Sequence, residues 1–274
     1  MENADSSSSP EKSDGSGSSS IVGKAVARWG QIENWLITVA LGAMMLLPLL
    51  EIVLRRFRTG ISGSAELLQH LVLFVAMVGG AIAARENRLL SLSTFTSFLK
   101  GSWEIAARSI SSSVALFVTF TIGVGCYRFI TTEGIGGDTM FAGLPSGFFM
   151  SVMPIGFGLL AIRILWLSGD SWRLRLIPLV VGVALFAFCT YQFEEVESFV
   201  WPLLILLVIG TVAGAPLYVT IGGAALIMNW GWGGYFPEER VEIAVSTQAQ
   251  TLYSFIRNPL LVTLPLFTLA GYFL

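Results

Sequence analysis

The stretch SGSAELLQHLVLFVAMVGGAIAARENRLL, residues 62–90, decides the fold. Between Glu66 and Arg85 its only ionisable side chain is His70. That run is close to the roughly 20 residues an α-helix needs to cross ~30 Å of hydrocarbon. Strict polar and apolar alternation is absent, which excludes a transmembrane barrel and predicts a membrane helix over 65–84. Working outward, a similar run precedes it at 35–54, and others follow at 108–128, 147–167, 175–193 and 199–214. Two further candidates lie at 216–232 and 259–274. Composition agrees, because 54% of the residues are hydrophobic and only 12% charged, against about 25% charged in soluble domains. The fold class is therefore all-α, a polytopic membrane protein in contact with the lipid bilayer. A formal net charge of −2 gives no basic field for nucleic acid. Cys126 and Cys189 sit inside apolar runs and read as packing residues, not as a disulfide framework or a zinc site.

The segments between the runs set the topology. Residues 1–20 are Ser-rich with Gly, Pro and charged residues, and a disordered tail is expected over 1–29. The first apolar run begins only near Trp35, behind an acidic leader, which argues against a cleaved signal peptide. Between the second and third runs, 88–105 mixes Leu89, Leu90, Leu92, Phe95, Phe98 and Leu99 with Ser and Thr, as in an interfacial amphipathic helix or elbow. With the tail in the cytoplasm, the inner segments collect Lys12, Lys24, Arg28, Arg85, Arg88, Lys100, Arg108, Arg163, Arg173 and Arg175. The outer ones then carry Glu194, Glu195, Glu197, Glu133 and Asp138, with Arg55, Arg56 and Arg58 as the exception.

Ionisable groups at membrane spans are costly and are the first candidates for function. Glu51 and Arg55 stand four apart on one helix face, and Glu66 can reach them across a short loop. This reads as a clasp between the first two helices, with partner docking or transport as the alternative. His70 is the only histidine, and with no neighbouring ligand set it reads as a core or interfacial residue. The small residues Gly79, Gly80, Ala81, Ala83 and Ala84 invite close helix approach. No HExxH, GxSxG, Walker A or paired intramembrane carboxylates occur, so no enzyme is expected, nor any prosthetic group or metal site. In the last third, Gly214 and Pro216 interrupt one apolar run, and Asn258, Pro259 and Pro265 another. Interrupted helices line ion and substrate sites in transporters, although kinks alone would also explain them.

Two parts of the chain resemble the membrane subunits of tripartite ATP-independent periplasmic (TRAP) transporters. Residues 62–90, following EIVLRR at 51–56, are similar to the small four-helix subunit (DctQ-like). PLLILLVIGTVAGAPLYVTIGGAALI at 202–227, with NPLLVTLPLFTLAGYFL at 258–274, is similar to the opening of the large subunit (DctM-like). One departure is that Arg88-Leu89-Leu90 stands where the small subunit usually has a His-Ile pair. The resemblance implies a fusion: a four-helix scaffold domain over 30–168, a connecting transmembrane helix within 169–197, and the start of an elevator-type transport module over 198–274. It also implies sodium-coupled uptake of organic acids, C4-dicarboxylates or related carboxylates, across the bacterial inner membrane, with the N-terminus cytoplasmic.

The partners implied are a periplasmic substrate-binding protein and the remainder of the large permease. Arg55, Arg56, Arg58, Glu133 and Asp138 are candidates for the docking surface. The coupling Na+ ions would bind outside this chain, since the family's ion sites lie downstream of residue 274, and the chain reads as a partial fusion. The alternative expectation is a membrane structural or assembly protein, or a truncated fragment, without transport activity of its own.

Overall fold

The computed structural model describes residues 16–61, 63–91, 101–134, 145–169, 171–191, 196–232 and 240–273. All the regular structure among them is helical. In order come α1 (Ser16–Arg56), α2 (Ser64–Arg85), α3 (Ser102–Phe129), α4 (Ser146–Met150), α5 (Val152–Leu167), α6 (Trp172–Tyr191), α7 (Val196–Val212), α8 (Leu217–Trp232), α9 (Arg240–Ile256) and α10 (Pro259–Phe273). α3 runs on into a π turn at Ile130–Gly134. Five stretches are long and apolar enough to cross a membrane: Arg28–Arg56, Ser64–Arg85, Trp103–Thr132, Ser146–Leu167 and Trp172–Thr190. The chain is thus a multi-pass, all-α membrane protein.

Several boundaries differ from the expectations. α1 begins at Ser16, so helix occupies 16–29, where a disordered tail was expected; residues 1–15 lie outside the described part. The run IVGKAVARW at 21–29 contains no proline, and a helix already nucleated in the membrane run extends backwards through such residues at little cost. Of the amphipathic elbow at 88–105, 92–100 lie outside the described residues. At its ends, Ser91 forms a β-bridge with Pro216 and α3 has begun by Ser102.

α7 and α8, at 17 and 16 residues, are each about 25 Å long, short of a full ~30 Å crossing. They form a hairpin whose tip closes with a left-handed Gly214 at φ 100°. Gly214 N–H donates to Thr211 O at 3.0 Å and Ala215 N–H to Gly210 O at 2.9 Å. That pair is the Schellman pattern, which satisfies the last carbonyls of a helix and favours glycine at the left-handed residue. Across the hairpin the hydroxyls of Thr211 and Thr220 lie 2.9 Å apart, and Leu217 N–H donates to Leu90 O at 2.8 Å, seating the tip against the end of α2.

α3 is the hub. Val114 to Thr119 are all buried, because α5, α6, α7 and α9 pack around the helix from different sides. Close approach is built into the sequence at Gly125, where a Cβ would stand 2.5 Å from Val245 O of α9. Any larger residue there would push α9 away. Val200, Leu207, Val219 and Tyr253 belong to the same hydrophobic core as Leu73, Val118 and Met153, so packing is continuous through residue 198. α1 lies at the rim and packs mainly on α2, its Ile32, Trp35, Val39, Leu46, Leu50 and Val53 facing outward.

Candidate functional site

The alternation of helix directions gathers the start of α1, the end of α2, the start of α3, the end of α5, the start of α6 and the α7–α8 tip at one end of the bundle. Among the described residues, the most heavily charged interior site lies there. Glu33 of α1 has a side chain only 7% exposed. Its Oε1 accepts from Trp29 Nε1 at 2.7 Å and from Arg163 Nη2 of α5. Its Oε2 accepts from Arg85 Nη1 of α2 at 2.9 Å. Arg85 Nη2 reaches Asn34 Oδ1 at 3.0 Å, and Arg163 Nη1 donates to the carbonyl of Ala81.

One carboxylate thus joins three helices, using charge-assisted bonds on both oxygens. Gly30 leaves the room, because a Cβ at that position would stand 2.7 Å from Arg85 Nη1. With both oxygens occupied, Glu33 is arranged to hold helices in place.

This site was missed in the sequence reading. Charge bias reaches Arg163 only as a basic residue on the inner side, and it does not reach Glu33. The signal was present: an acid one turn after Trp29 at the mouth of an apolar run, and an arginine inside LLAIRILWL at 159–167. Buried ionisable residues at membrane depth must find one another.

At the opposite end, the expected pair is in place. Arg55 Nη2 donates to Glu51 Oε1 at 2.7 Å and its Nε at 3.2 Å. The link from α1 to α2 runs through Ser64, whose hydroxyl donates to Glu51 Oε2 at 2.5 Å. Glu66 is exposed and is in none of the ion pairs among the described residues. Arg56 and Arg58 are exposed at the end of α1. Arg58 takes φ 58°, and the bonds Arg58 N–H to Arg55 O (3.1 Å) and Thr59 N–H to Leu54 O (3.1 Å) make it the left-handed residue of another Schellman cap. Glu133 falls in the π turn, its side chain outside the described part, as is all of Asp138.

His70 is buried between the rings of Phe149 and Tyr253, with centroids at 5.1 and 6.2 Å. Its Nδ1–H donates to Glu66 O at 2.7 Å, while Nε2 has no partner among the described residues. Gly214 and Pro216 form the α7–α8 tip. Asn258 caps α10, its Oδ1 accepting from Leu260 N–H at 3.1 Å. Pro259 then takes the first helical position, where its missing N–H costs nothing. These two residues therefore begin a helix, and α10 continues through position 265. No group of three metal-ligating side chains occurs among the described residues.

Residues 44–174 match the family model described as tripartite ATP-independent periplasmic transporters, DctQ component. This part of the chain is similar to that family, which supports a TRAP transporter membrane component. The match runs from the middle of α1 to the first residues of α6, and so contains Arg85, Arg163 and the Glu51 pair but not Glu33. The family is one of transporter components, not of enzymes. No curated protein matches the chain.

Proposed function

We propose that this chain is the scaffold component of a sodium-coupled TRAP secondary transporter for organic acids, C4-dicarboxylates or related carboxylates. The observation that carries the reading is the family match over α1 to α5. In this reading the α1–α5 bundle braces the transport machinery in the bacterial inner membrane, with the N-terminus cytoplasmic. The arginine-rich end holding Arg85, Arg108, Arg163 and Arg175 then faces the cytoplasm, in keeping with the excess of basic residues on that side of membrane proteins. The segment from α7 onward is the opening of a fused large permease. Two features support the fusion: α6 is a fifth apolar helix that carries the chain to the opposite end before α7 begins, and α7 to α9 pack directly on α3.

A periplasmic substrate-binding protein and the remainder of the large permease complete the machine. Arg55, Arg56 and Arg58 lie on the face that the binding protein would approach, where surface charge steers association. The ion-coupling residues lie in the large permease.

The test is uptake of labelled organic acids into proteoliposomes under an inward sodium gradient. Uptake that requires the chain, its binding protein and a large-permease partner together supports the proposal. Uptake by the chain alone would place the ion and substrate sites within it. Silence in every combination would favour a membrane assembly protein that transports nothing itself.

A further inference from the structure

A cleft of about 730 Å³ opens at the arginine-rich end, between α3, α5, the start of α6 and the α7–α8 tip. Its lining is divided. Arg108, Arg175, Ser111, Ser112 and Asn87 form a polar part, and Leu89, Ile164 and Leu167 belong to an apolar part. Neither a wholly soluble anion nor a plain hydrocarbon matches both. An amphiphile with an anionic head does.

The charge of the lining narrows the choice. Among the described lining residues the ionisable side chains are Arg108, Arg175 and Glu104, two positive and one negative, which leaves a single positive charge. A phosphodiester carries one negative charge and can accept charge-assisted bonds from both guanidiniums. Among the described residues, both arginines keep N–H donors from which such a group can accept. Arg108 meets Glu104 only at 3.5 Å. Arg175 donates its Nε to Gly169 O at 2.8 Å and lies 4.8 Å over the Trp166 ring, so the guanidinium is positioned through one edge and one face.

The height of the cleft supports the same occupant. Trp29, Trp103, Trp166 and Trp172 are all exposed at this end of the bundle, and exposed tryptophans mark the headgroup level of a bilayer. Trp166 itself lines the cleft. Basic pockets between membrane helices at that level suit acidic lipid headgroups.

We infer that this cleft binds an anionic phospholipid, with Arg108 and Arg175 holding its phosphodiester and the apolar wall taking the start of an acyl chain. Ala213, Gly214 and Pro216 also line the cleft, so the bound lipid would join the family-matched bundle to the hairpin tip that lies outside the match. The inference does not depend on which substrate the transporter moves.

The test uses the full chain purified in neutral detergent, with lipid binding counted by native mass spectrometry and thermal unfolding followed during lipid titration. Phosphatidylglycerol, phosphatidylcholine, inorganic phosphate and succinate are compared. Phosphatidylglycerol is expected to bind at least tenfold more tightly than phosphatidylcholine and to raise the unfolding temperature, with the two soluble anions doing neither. R108Q/R175Q is expected to erase that preference, while R173Q, an exposed position outside the lining, keeps it. Equal binding of the two lipids by the wild-type chain would overturn the inference, even if the double variant failed to fold. Stabilisation by inorganic phosphate or succinate equal to that by phosphatidylglycerol would also overturn it, pointing to a soluble anion.

Discussion

Glu33 and Glu51 lie on the same helix, eighteen residues and about 27 Å apart, and each holds arginine. Their surroundings make them different objects. Glu33 is buried and bonded to arginines from two other helices, so its charge fixes where α1, α2 and α5 meet. Glu51 pairs with Arg55 of its own helix, whose side chain is 74% exposed, and reaches the next helix only through a serine hydroxyl. The comparison teaches that the obvious spacing, four apart on one helix, marks the weaker of the two sites. Exposed i,i+4 pairs gain little against water and side-chain entropy. A buried carboxylate with two guanidiniums has no water to fall back on, and removing one partner strands the other charges.

The sharpest break of that contrast is Glu33→Ala. It leaves Arg163, 11% exposed, without its carboxylate, and a loss of about 3–5 kcal/mol is expected. Thermal unfolding in detergent measures it, and a loss no larger than that of Glu51→Ala would make the two carboxylates equivalent. Second in size is Arg163→Met, which costs less because Arg85 still faces Glu33. In the double variant with Glu33→Leu, the combined loss should fall clearly short of the sum of the single losses, since the carboxylate and the more deeply buried of its two guanidiniums are removed together.

Ser64→Ala comes next, with a drop in unfolding temperature between those of Glu33→Ala and Arg55→Ala, because it cuts the link from Glu51 to α2 but leaves the ion pair. Arg55→Ala should barely move the unfolding temperature, and 0.5 M salt should erase what difference there is. The smallest effect has the opposite sign. Arg58→Gly removes a left-handed arginine and should stabilise by up to about 1 kcal/mol; a clear loss would mean that the Arg58 side chain makes a contact worth more than its strain.

Much of the fold was legible because hydrocarbon thickness imposes a length and a composition on every crossing helix. The runs at 35–54, 65–84, 108–128, 147–167 and 175–193 each fall inside one of the five crossing stretches or, for the last, within three residues of its end. The runs at 199–214 and 216–232 are already about a turn shorter than the roughly 20 residues of a full crossing, and α7 and α8 keep that length. The candidate site was legible only in part. Glu51 and Arg55 are neighbours in sequence, and a periodicity of 3.6 brings them together whatever the rest of the chain does. Glu33, Arg85 and Arg163 are 52 and 130 residues apart in pairs, and no local rule relates them.

The sequence by itself determined that this is an all-helical membrane protein and where its helices run, because the bilayer demands long apolar segments with satisfied backbones. It also carried the family resemblance that the match over 44–174 bears out for the small subunit. Only the tertiary structure decided which helix is buried. Most of the α3 crossing is buried and little of the α1 crossing is, although both are apolar enough to span, because in lipid an apolar surface suits a helix neighbour and a hydrocarbon tail almost equally. Packing is then settled by small residues that permit close approach, such as Gly125, and by charges that need one another, such as Glu33 and Arg163.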